Sequence, residues 1–94
     1  MSETHEATLQ INHEAGLHLR PAALFVRTAK RFTSAIRLTN LSRPDSKEVD
    51  AKSMFGLMQL GVSQGHEVRV QATGDDAAQA ISALQQLVDS NFAE

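Results

Sequence analysis

Residues 16–22 read GLHLRPA, which sets His18 and Arg20 on either side of Leu19 and puts Pro21 directly after them. A neutral imidazole is a nucleophile at neutral pH, and a guanidinium grips phosphate oxygens through two parallel hydrogen bonds. Proline is favoured at the first helical position, where its fixed φ and missing N–H cost nothing, so Pro21 predicts a helix start with His18 just outside it. The unpaired amides and positive dipole end of such a helix form an anion site. The group therefore suits a histidine that transiently carries a phosphoryl group. An ordinary loop or capping histidine also fits HxRP, and these residues alone leave both readings open. Metal binding is not expected: His5, His13, His18 and His66 are dispersed, without HExxH or paired-ligand spacing, and the carboxylates are not clustered.

The elements that must position these residues come from one short chain. Its 94 residues suit a single domain over 1–94. Nine Lys and Arg against eleven Asp and Glu give a formal charge of -2, which argues against a nucleic-acid partner. Without cysteine there is no disulfide or thiolate chemistry. The polar opening MSETHEATLQ has no apolar leader, and no run is long enough to span a bilayer, so a cytoplasmic protein without membrane insertion is expected.

Alternation marks four short strands, through Ala7, Leu9 and Ile11, through Ile36 and Leu38, through Val49 and Ala51, and through Val68, Val70 and Ala72. Between the first two, PAALFVRTAKRF places Ala22, Phe25, Val26, Ala29 and Phe32 on one helical face and leaves a basic exposed side. KSMFGLMQLG predicts a short second helix. TGDDAAQAISALQQLVDS predicts a third, capped near Asp75, with a stripe of Ala77, Ala80, Ile81, Leu84, Leu87 and Val88. LSRPDSK, residues 41–47, is an extended surface loop. The order βαββαβα is best buried as an α+β open-faced two-layer sandwich, a four-stranded antiparallel sheet with all helices on one side.

GLHLRPA, the amphipathic helix, then AKSMFGLMQLG, a strand and a capped helix together resemble HPr, the histidine-containing phosphocarrier family of the bacterial phosphoenolpyruvate-dependent phosphotransferase system. The likeness runs from about Glu6 to about Phe92, with two separate motifs in the right order. It implies a strand order A-D-B-C. It further implies that His18 takes a phosphoryl group on Nδ1 from phosphorylated enzyme I and passes it to sugar-specific or nitrogen-related enzyme IIA components. Arg20 and the helix start at Pro21 and Ala22 would bind the phosphoryl oxygens. No cofactor is implied, and the domain would be a monomeric carrier and co-substrate rather than a self-sufficient enzyme. Transfer would be in line and reversible, resting on positioning and charge neutralisation.

Ser53 stands where a hydroxyl caps a short helix, and capping alone suffices to explain it. By resemblance it matches the serine modified by HPr kinase/phosphorylase in some bacteria, where the added charge weakens docking to enzyme I and promotes binding to a transcriptional regulator. Met54, Phe55, Leu57 and Met58 are too many apolar residues for so short a helix to bury. Leu57 and Leu60 are expected in the core. Met54 and Phe55 match the family's contact positions, and with Leu19, Leu24, Arg27 and Lys30 they form the expected docking set, the two cations steering acidic partner surfaces. Two departures stand out: Leu19 replaces a small residue, and the loop NLSRPDSKE is longer than usual. A purely regulatory module acting through Ser53 is the alternative; the presence of His18 with Arg20 argues against it. A small ligand-binding domain finds no polar-lined pocket to support it.

Overall fold

The structure is a computed structural model that describes residues 3–93. Its elements follow the expected order: β1 (Glu3–Gln10), α1 (Leu19–Ala29), β2 (Ala35–Asn40), β3 (Val49–Asp50), α2 (Met54–Gln59), β4 (Glu67–Gly74) and α3 (Ala77–Asp89). The sheet runs β1-β4-β2-β3 with every pairing antiparallel. This is the A-D-B-C order. Central β4 faces both neighbours at once, so that Val70 lies opposite Ala7 on one side and Leu38 on the other.

One face of this sheet is covered, and alternation records it. Ile36 and Leu38 of β2, with Val68, Val70 and Ala72 of β4, are buried, while Arg37 and Arg69 between them are exposed. The covering layer comes from Ala22, Phe25 and Ala29 of α1, Leu57 of α2, and Ala77, Ala80 and Leu84 of α3. Burying each large apolar side chain contributes roughly 1.5–3 kcal/mol, and this is the chief stabilising term in a chain without crosslinks. Ile81 and Leu87 sit at the edge of the core, half-buried.

Several boundaries differ from the pattern. Ile11 lies beyond β1 yet is fully buried, because its amide and carbonyl bond the His66 carbonyl at 2.9 Å and the Gly65 amide at 2.7 Å. Ala51 is likewise buried past the end of β3. Helix α1 stops at Ala29, which leaves Phe32 outside it, packed on the core rim. The residue at the start of α3 is Asp76 rather than Asp75, and its side chain does not cap. Its carboxylate instead accepts the Thr33 amide at 2.8 Å and the Ser34 amide at 2.9 Å, with both hydroxyls also donating. The turn after α1 is thereby tied to the turn after β4. Gly74 (φ +152°) closes the same corner, where a Cβ would run into Ser34.

Asn40 is the other buried polar anchor. It ends β2 on the inward parity of Ile36 and Leu38, and its side-chain amide donates to the Leu60 carbonyl at 3.1 Å and lies 3.2 Å from His66 Nδ1. Its Oδ1 accepts from the Ser42 amide at 3.0 Å. Three connections are thus held to one side chain, and the long loop begins from a fixed point.

Candidate functional site

The segment between β1 and α1 is seated before it reaches His18. Gly16 adopts φ +62°, its amide donates to the His13 carbonyl at 2.8 Å, and a Cβ there would collide with the Val62 carbonyl. That same carbonyl accepts from the Leu17 amide at 3.1 Å, and Leu17 is buried. Chain direction is therefore set one residue ahead of His18 by the strap that follows α2.

His18 is the N-cap of α1, extended at φ −84° and ψ −165°, exposed, and without a side-chain cap bond. Most N-cap side chains are short acceptors spent on the helix amides. Here the imidazole is left to other partners. The first intrahelical bond runs from the Ala22 amide to the His18 carbonyl at 2.9 Å. Helix α1 thus opens at Leu19, which makes Pro21 its third residue and corrects the expectation that Pro21 is its first. Proline is tolerated there for the same reason, since the first-turn N–H groups have no acceptor within the helix. The shift moves the donors: Pro21 has no N–H and the Ala22 amide is engaged, so the amides ahead of the first intrahelical bond belong to Leu19 and Arg20. No acidic side chain stands in the first turn, and the exposed Arg20 guanidinium adds its charge to the positive dipole end. An anion carried on His18 meets donors and cations only from this turn.

Helix α2 packs beside α1. Ser53 is its N-cap, and the hydroxyl accepts the Gly56 amide at 3.0 Å. Leu57 and Leu60 are in the core, as the apolar count demands, whereas Phe55 is 75% exposed and Met58 37%. Met54 is half-buried against the core. At the head of α1, Leu19 is 65% exposed, and Arg27 and Lys30 are exposed further along. Leu24 departs from its expected docking role: it is 8% exposed and belongs to the core. Helix α1 packs against both α2 and α3, so a wider arc of it is covered than its apolar stripe alone indicates. Met58, which was not in the expected docking set, is exposed one turn from Phe55 on the six-residue helix.

A four-stranded antiparallel sheet with one helical layer, presenting a bare histidine at a helix N-terminus with an arginine in the first turn, defines a class of small domain built to expose one imidazole. The family model described as PTS HPr component phosphorylation site matches residues 5–90. The chain belongs to this family, the HPr components of the phosphotransferase system.

Phosphocarrier protein HPr of Treponema pallidum is 38% identical over 87 residues, covering 93% of this chain and 94% of its own. HPr-like protein Crh of Bacillus subtilis is 46% identical over 76 residues, covering 81% and 85%. Among solved structures, HPr-C-His from Thermoanaerobacter tengcongensis superposes with a TM-score of 0.86 at 50% identity, over 96% of this chain and 97% of that one. The chain also matches multiphosphoryl transfer proteins of Haemophilus influenzae and Vibrio cholerae, of whose length it spans 17% and 23%. Among the described residues, no helix is long and apolar enough to cross a membrane.

Proposed function

We propose that this protein is a phosphocarrier in which His18 takes a phosphoryl group from phosphorylated enzyme I and hands it to an enzyme IIA component. The observation that carries the reading is the exposed His18 side chain at the N-cap of α1, unspent on capping, with Arg20 in the first turn. The neutral imidazole offers the lone pair of Nδ1 to phosphorus while the donor's bond to phosphorus breaks and the donor keeps that electron pair. The Leu19 and Arg20 amides and the Arg20 guanidinium then hold the phosphoryl oxygens. Pro21 sets the turn without donating, and the Ala22 amide stays in the helix. The reverse sequence serves the acceptor, and no metal or nucleotide from this chain enters it.

Docking is assigned to Leu19, Phe55 and Met58 with the flank of Met54, and Arg27 and Lys30 steer acidic partners toward them. Leu19 makes the entrance to the site more apolar than a small residue would. Every group invoked comes from one chain, which fits a monomer acting in the cytoplasm. Ser53 supports a second, regulatory use of the same surface: it sits one residue from Met54 and two from Phe55, so a phosphate added by a kinase there would place charge beside the docking residues.

Intact-mass measurement after mixing with phosphoenolpyruvate and enzyme I tests the main reading. An acid-labile gain of one phosphoryl group, absent from His18→Ala, is the expected result. No gain with an active enzyme I would leave the Ser53 module as the better account.

A further inference from the structure

The turn ahead of His18 is closed twice by one residue. The carbonyl of His13 accepts from the Gly16 amide at 2.8 Å, and its Nδ1 accepts from the Ala15 amide at 3.1 Å. An amide can only donate, so Nδ1 is the bare nitrogen and the proton of the neutral ring sits on Nε2. Asn and Asp make the same pattern at the first position of a turn, where a side-chain acceptor takes the amide two residues on. The ring of His13 also meets Phe92, centroids 5.8 Å apart and planes at 87°, a favoured edge-to-face geometry.

Phe92 is brought there by an unusual backbone. Asn91 (φ 57°) and Phe92 (φ 61°) are both left-handed, a conformation uncommon outside glycine, and their amides bond back to Val88 and Leu87 at 2.9 and 2.8 Å. The buried Phe92 ring thus fixes the end of α3 against the loop that leads to the site. His13 joins the two.

We propose that His13 is a positioning residue for His18, holding turn 13–16 through Ala15 and bracing it on Phe92 so that Leu17 and His18 enter α1 in one arrangement. The proposal rests on the reading of His18 as the phosphoryl acceptor. His13 touches no reacting atom. Without its ring, the Ala15 amide loses its partner and the turn samples more arrangements, so the His18 imidazole spends less time in line with phosphorus. Docking, which uses α1 and α2, is untouched.

The test measures phosphoryl uptake from phosphorylated enzyme I by the native protein, His13→Ala and His13→Asn, with folding checked by thermal melting. Asparagine keeps a side-chain acceptor at the first position of the turn while removing the ring. For His13→Ala we expect kcat to fall about tenfold with KM within about twofold of native, and for His13→Asn a recovery of most of that loss. Folded His13→Ala that transfers at the native rate overturns the proposal, as does His13→Asn that is as slow as His13→Ala. A native protein that gains no phosphoryl group overturns the carrier reading and the proposal with it. Should His13→Ala not fold, long-range 1H–15N spectra of the native protein decide: Nδ1 of neutral His13 must be the unprotonated nitrogen, and a proton found there overturns the assignment.

Discussion

Ser34 and Asp76 are joined twice, the amide and the hydroxyl of Ser34 both donating to Asp76 Oδ1. With the Thr33 amide on Oδ2, these bonds hold the Asp76 carboxyl at about 2, well below its ordinary 3.8, and the Ser34 hydroxyl is the largest cause. Hydrogen bonds to the charged form outweigh the desolvation that opposes them. A carboxylate lowered in the folded state stabilises the fold fully above its unfolded value and loses that contribution as pH falls through the folded one. The native protein should therefore lose stability between pH 3.8 and about 2. Asp76→Asn should be less stable than native at neutral pH, with the gap closing across that window. Urea midpoints at a series of pH values measure this, and parallel decline of both proteins would remove Asp76 from the account.

Arg20 separates charge from geometry at the site. A hydrogen bond to a charged group is worth roughly 1.5–3 kcal/mol, so Arg20→Ala should slow phosphoryl uptake about ten- to a hundredfold. Arg20→Lys, which keeps the charge but not the two-pronged fork, should fall between them. Uptake rates at saturating phosphorylated enzyme I provide the comparison; equal rates for native and Arg20→Ala would take Arg20 out of the site.

Two roles of Ser53 come apart by substitution. Ser53→Ala removes the cap on Gly56 and should cost about 1 kcal/mol of stability. Ser53→Asp keeps a capping oxygen and adds a negative charge, so it should melt near the native temperature while binding enzyme I more weakly. Calorimetric melting and titration with enzyme I read the two effects separately, and undiminished affinity of a folded Ser53→Asp would speak against the regulatory reading.

Leu24 and Phe55 should behave as opposites. Leu24→Ala empties a core position and should cost about 2–5 kcal/mol. Phe55→Ala removes an exposed ring, should change stability by less than about 0.5 kcal/mol, and should weaken enzyme I binding. Denaturant unfolding set against binding titration checks both, and a Phe55→Ala variant that binds like native would move docking elsewhere.

What the chain discloses about itself follows from which faces are covered. The two-residue period of β2 and β4 and the helical stripes of α1 and α3 were readable because each has one buried and one wet side. Pro21 could not fix the first residue of α1, since proline is tolerated anywhere among the amides that lack helical acceptors. Asp76 rather than Asp75 meets Thr33 and Ser34, and only the packing of two distant turns distinguishes neighbouring aspartates. Leu24 was named only in the docking set and lies outside the apolar stripe of α1; it is buried because α1 has two helical neighbours, which the stripe of one helix does not reveal. Asn40 could have been found from its parity with Ile36 and Leu38. His13 was visible only as one of four scattered histidines; its role emerges when the ring is counted as a turn acceptor in HEAG.

Strand β4 lies in the middle of the sheet but is the last strand in the chain. On a ribosome, β1 and β2 emerge early and have no shared partner until residue 74 is released. At roughly 5–20 residues per second, the edges of the two strands that face β4 wait several seconds unpaired. The charged residues along β1, Glu3 and Glu6, make its edge a poorer template for pairing with another nascent chain than an apolar edge would be.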